Sequence, residues 1–197
     1  MACNFNSVLK GANACKENPA GVSNYCMVVP FAIAVEMTSE DGFIDTVEID
    51  DAKNRYIITP TGSGTALKGY RVDFKNKTGN VKYEPNGAGK GKTATGTGRV
   101  EIGIDEMAVL SRTLSNLDGN FLVFFPTGVK KDPEGGTNPV TEWLVVGNPQ
   151  GDITWDDSFD TGTDRGDDHG TTFTVSCDFQ VYAPVKFYGE INQADAA

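Results

Sequence analysis

Residues 171–182 read Thr-Thr-Phe-Thr-Val-Ser-Cys-Asp-Phe-Gln-Val-Tyr, a strict alternation that decides the fold class. Phe173, Val175, Cys177, Phe179 and Val181 point one way, and Thr172, Thr174, Ser176, Asp178 and Gln180 the other. Side chains alternate across a strand with a period of two, so this stretch is a strand with one buried and one wet face. Such one-sided strands are typical of antiparallel sheets.

Shorter signals of the same kind lie upstream. Phe43–Asp50 places Phe43, Val47 and Ile49 on one face, and Gly98–Ile104 repeats the pattern with Val100, Ile102 and Ile104. Phe121–Phe125 is apolar at every position, as expected of a strand covered on both faces. Glu142–Val146 and Asp152–Trp155 are further strand candidates. Met27–Val35 is apolar but contains Pro30 and is far short of the ~20 residues a membrane helix needs, so it reads as a buried strand. One helix is expected over 105–117, where Met107, Val109, Leu110, Leu114 and Leu117 recur at helical spacing. Asp105 stands at its start and Asp118-Gly119 at its stop. Many strands and one amphipathic helix predict a mainly β protein. The expected architecture is an antiparallel β-sandwich or partly closed barrel with one flanking helix.

Ala66–Lys75 and Val81–Glu84 read as strands joined by a turn at Asn76-Lys77-Thr78-Gly79. Asn86–Gly98 has no large apolar residue, so residues 66–104 are expected to form a long projecting basic hairpin or arm. The 197 residues suit a single domain spanning 1–197, and 17 basic against 27 acidic side chains leave a net charge of −10. The charge is segregated. Residues 66–99 carry 8 − 2 = +6, and residues 152–170, expected to be an acidic loop, carry 1 − 7 = −6. An acidic chain is a poor general nucleic-acid binder, because such binding comes from neutralising phosphates with Lys and Arg. It is compatible with letting nucleic acid pass without sticking.

Chemistry-bearing motifs are few. Asn86–Thr93 approaches a phosphate-binding loop but has Asn86 where the motif needs Gly, and no helix can open at Ala94–Gly98. Asp160, Asp164 and Asp168 are the only calcium candidates, without EF-hand spacing. Arg165-Gly-Asp167 matches an integrin-binding tripeptide of a kind that any acidic Gly-rich loop produces. Cys3, Cys15, Cys26 and Cys177 lack the close spacing of zinc ligands, and fit reduced thiols in a reducing compartment. With His169 the only imidazole, nucleophile–base catalysis has nowhere else to run, so no enzyme activity and no cofactor are expected. The first 25 residues lack the basic and apolar segments of a secretory signal. Trp143 and Trp155 leave open a carbohydrate-binding sandwich module.

Trp143-Leu-Val-Val-Gly147, Gly151, the acidic run ending at Asp167-Asp168-His-Gly170 and the strand Thr171-Thr-Phe-Thr-Val resemble the pattern of phage tail tube proteins. Cys3, and Cys15 followed by Pro19-Ala-Gly-Val, are similar to phage structural proteins of gut Bacteroidota. The remainder of the chain matches only in the order of its elements. The resemblance implies a virion subunit, made in the host cytoplasm, that forms homo-oligomeric rings, commonly hexameric. Rings stack head to tail with other tail proteins into a tube for DNA ejection, as in the related tubes of contractile injection systems. DNA passes through without specific binding, and no membrane span is expected. On this reading Lys75, Lys77, Lys82, Lys90 and Lys92 are expected to meet Asp156, Asp157 and Asp164 of the neighbouring ring. Another virion part of the same fold, a capsid decoration or head–tail joining protein, is the nearest alternative.

Overall fold

In the computed structural model, residues 22–32, 42–50, 54–63, 66–86, 91–100, 104–131, 137–150, 153–160, 170–180 and 184–194 are described. The elements run β1 (Tyr25–Pro30), β2 (Ile44–Asp50), β3 (Arg55–Pro60), β4 (Leu67–Asp73), β5 (Asn80–Pro85), β6 (Lys92–Val100) and α1 (Ile104–Asn116). They continue with β7 (Phe121–Lys131), β8 (Pro139–Val146), β9 (Ile153–Asp160), β10 (Gly170–Gln180), β11 (Lys186–Tyr188) and β12 (Ile191–Gln193). The protein is mainly β, with one small helix, and is built as a β-sandwich. A large sheet has the order β12-β4-β1-β7-β8-β11-β3-β2, and a small antiparallel sheet the order β5-β6-β10-β9.

The large sheet curls and buries both of its faces at the centre. On β1 and β7, Met27, Val29, Leu122 and Phe124 fill the curl with Tyr56, Trp143, Val145 and Phe187. The alternate residues Cys26, Val28, Val123 and Phe125 face the small sheet. This accounts for the unbroken apolar run at 121–125, whose side chains are all buried. At one end the curl is pinned together: Lys68 N–H donates to Gly42 O (2.7 Å) and Ala32 N–H to Ile44 O (2.9 Å). The start of β2 thus meets β1 and β4, making the sheet a partly closed barrel.

The small sheet corrects the expected arm. Residues 66–104 do not form one hairpin, because β4 belongs to the large sheet and β5 and β6 to the small one. The 76–79 segment is a crossover between sheets, turned by Lys77 at φ 68° and plugged by Phe74, which is 5% exposed. The hairpin is instead β5–β6, closed by Asn86 N–H donating to Gly91 O (3.2 Å), with residues 87–90 outside the described set. β6 is an interior strand rather than a loop. Its inward residues are Ala94, Gly96, Gly98 and Val100, and large rings sit directly over the two glycines. A Cβ on Gly96 would lie 2.5 Å from the Phe125 ring, and one on Gly98 2.7 Å from Phe173 and 2.9 Å from Phe74.

The acidic segment is corrected too: its first half, Ile153–Asp160, is strand β9, paired with β10 along its whole length. Helix α1 occupies nearly the expected span and stops where Asp118 (φ 47°) and Gly119 (φ 73°) leave helical geometry. Leu114 is buried and Leu117 packs on the inter-sheet core, but Val109, expected on that stripe, is 61% exposed.

Gly96→Val should cost at least about 1–3 kcal/mol by overpacking. Thr95→Val, one residue away on the outer face, should stay within about 0.5 kcal/mol. Urea unfolding of the two variants checks this, and equal effects would contradict the packing described.

Candidate functional site: the outer face and edges of the small sheet

Because β6 and β10 turn their apolar or small residues inward, their other residues form an outer face. Pairing places these side chains in rows: Asn80, Thr97, Thr174 and Asp156 lie abreast, followed by Lys82, Thr95, Ser176 and Thr154. Arg99, Thr172 and Ser158 form a row on one side of these. On the other side Glu84 neighbours Thr93, whose hydroxyl donates to Asp178 (2.7 Å). Thr154 and Ser176 hydroxyls hydrogen-bond at 2.8 Å. The face is thus a lattice of hydroxyls with scattered charges. Among the described residues those charges are Lys82 and Arg99 against Glu84, Asp156, Asp160 and Asp178, 2 − 4 = −2.

The edges of this sheet differ in charge: β5 is neutral overall and β9 is acidic. β5 presents Lys82, paired with Glu84 on its own strand (2.7 Å), and β9 presents Asp156 and Asp160. Among the described residues no strand pairs with the outer side of β5 or of β9. Both edges are firmly mounted. Tyr83 packs on the core and its OH donates to Val145 O (3.1 Å), and Trp155 stacks on Phe173 at 4.6 Å.

The residues expected to make contacts between rings are distributed as follows. Lys82 and Asp156 share the outer face at opposite edges. Asp157 alternates to the inner side, where Ser111 of α1 hydrogen-bonds its carboxylate. Lys75 and Lys77 lie in the crossover, and Lys92 opens β6. Lys90, Asp164, Asp168 and His169 lie outside the described residues, so of the calcium candidates only Asp160, at the end of β9, is placed. Among the described residues no group of three or more His, Cys, Asp or Glu is arranged to hold a metal ion. No helix among them is long and apolar enough to cross a membrane. Neither tryptophan forms an exposed platform: Trp143 is buried with its indole N–H donating to Gly189 O (2.9 Å), and Trp155 faces the core. Cys26 and Cys177 are buried too, and burial, reinforced by Asp73, pushes the Cys26 thiol far up, away from the reactive thiolate.

A second polar cluster, not singled out by any sequence motif, lies on the large sheet. Glu142 accepts hydrogen bonds from Tyr188 OH (2.8 Å), Lys186 Nζ (2.9 Å) and the Thr127 hydroxyl (2.9 Å). Close by, Arg55 pairs with Asp50 (3.0 Å) beside a cavity of about 290 Å³ that Arg55, Ile57, Val140 and Tyr188 help to line. Burial alone would raise the Glu142 carboxyl, but its three donors and the Lys186 charge outweigh that and hold it below its ordinary range. The same contact and burial push the Tyr188 phenol up. A carboxylate satisfied on three sides is a fastener joining β7, β8 and β11 rather than a reactive acid.

The sign of its pH dependence follows. A depressed folded-state value means that the unfolded chain binds the proton more readily, so this contribution to stability is full above the ordinary 4.5 and is lost as pH falls through the folded value. Glu142→Gln should lose about 1–3 kcal/mol at neutral pH. It should also show a shallower decline below pH 4.5 than the wild type. Parallel declines in urea midpoints measured across that range would contradict the assignment.

No protein-family model, curated protein or solved structure matches the chain.

Proposed function

We propose that the protein is a non-enzymatic structural subunit of a phage tail tube, assembling into rings that stack into a conduit for DNA. The observation that supports this reading is the small sheet: four antiparallel strands, mounted rigidly on a second sheet and, among the described residues, open at both edges. Four is an even number, so β5 and β9 run in opposite directions. Rotating one copy into the next therefore brings β9 beside β5 of its neighbour as an antiparallel pair, the arrangement that the sheet already uses. Such a contact joins unlike surfaces, and unlike surfaces close into rings when the rotation closes. Closure also removes the open edges, which otherwise invite uncontrolled pairing.

Six copies, the number the resemblance implies, would form a twenty-four-stranded barrel. With strands about 4.8 Å apart, its backbone is at least about 37 Å across, wide enough to pass a duplex. The outer face of the small sheet then lines the bore. Hydroxyls and a charge that sums to −2 per copy, with Lys82 and Arg99 outnumbered by carboxylates, give DNA no continuous cationic track, so little is gained by counterion release and the strand is not held. The acidic groups repel it over a Debye length of about 8 Å.

Negative-stain electron microscopy of concentrated protein should reveal rings with a central hole, some of them stacked. Assembled wild-type protein should not retain duplex DNA at low salt, whereas Thr95→Lys/Thr174→Lys should retain it in a salt-sensitive manner. Protein that stays monomeric at high concentration would overturn the reading.

A further inference from the structure

Resting on the ring reading above, we propose that neighbouring copies join in one defined register, in which Lys82 on β5 of one copy lies opposite Asp156 on β9 of the next. Three constraints select it. First, side chains on paired strands must keep to their faces, so only even slips between the two sheets are allowed. With no slip, Asp156 meets Asn80 of the neighbour, and the end of β5 (Glu84, Pro85) runs past Ile153, where β9 begins. Second, a closed barrel requires its register to be staggered, which also disfavours zero slip. Third, charge separates the two staggered choices that keep all of β5 paired.

A slip of two residues sets Asp156 against Lys82, Thr154 against Glu84 and Ser158 against Asn80. Every outer-face pair is then complementary in charge or hydrogen bonding. A slip of four sets Asp156 against Glu84, and directly opposed like charges destabilise a sheet. Lys82 is available for the contact. Its side chain is 59% exposed, and its bond to Glu84 is a surface ion pair of the kind that contributes little. The geometry therefore gives these two residues a lateral role within a ring, in place of the contact between stacked rings that charge segregation alone suggests.

The test is a charge exchange in the full-length protein: Lys82→Glu, Asp156→Lys and the double variant, with assembly followed by analytical ultracentrifugation and electron microscopy. Both positions are exposed, so each variant should keep the wild-type circular dichroism and urea midpoint as a monomer. Each single variant should need several-fold more protein to assemble, and the double variant should return close to the wild type. If the single variants assemble like the wild type, or if the double variant is no better than they are, the register is wrong although rings exist. If the wild type forms no rings at any concentration, the ring reading itself falls, and the register with it.

Discussion

Aromatic rings packed onto bare backbone set the spacing of this molecule. Phe125 of the large sheet lies over Gly96, while Phe173 and Phe74 lie over Gly98, and no side chain on β6 could share that space. Phe74 is tilted against both Phe125 (6.4 Å) and Phe173 (5.8 Å), so one cluster ties the two sheets to the crossover between them. The rest follows from this contact. With β6 drawn down onto the core, its alternate threonines must face outward. With β6 and β10 in the middle, β5 and β9 become edges.

The large sheet supplies the foundation. A sheet buried on both faces at its centre resists bending, and its rim is held by the Glu142 fastener and by the hydrogen bonds that pin β2 to β1 and β4. The small sheet can therefore present its edges at fixed positions without having to be stable alone. That rigidity suits a part whose role is to be repeated. In the proposed tube, chemistry is avoided by design: the thiols of Cys26 and Cys177 are buried, the carboxylate of the fastener is satisfied, and the face assigned to the bore is mostly hydroxyl.

The long strand β10, the doubly covered β7 and the helix were legible in the sequence, because periodicity in apolar side chains reports directly on which face is buried. Residues 92–100 were not. Their alternation is of absent side chains against threonine, Ala94-Thr95-Gly96-Thr97-Gly98, and hydrophobicity has no signal for a face made of backbone. The partner that gives it meaning, Phe125, is far along the chain. The crossover at 76–79 reads in the sequence as a hairpin for a related reason. Its turn residues fit either role, and only tertiary packing of Phe74 decides that the strands on each side enter different sheets. Charge segregation was visible in outline. That Lys82 and Asp156 share one face at opposite edges depends on strand order, which composition does not encode.

In the proposed tube, copies meet at the edges of the small sheet. Amide hydrogen exchange of dilute and concentrated protein tests it most directly. Outward amides of β5 and β9 should become protected at high concentration while those of β2, at the edge of the large sheet, should not. Exchange at β5 and β9 that is the same at every concentration would contradict it.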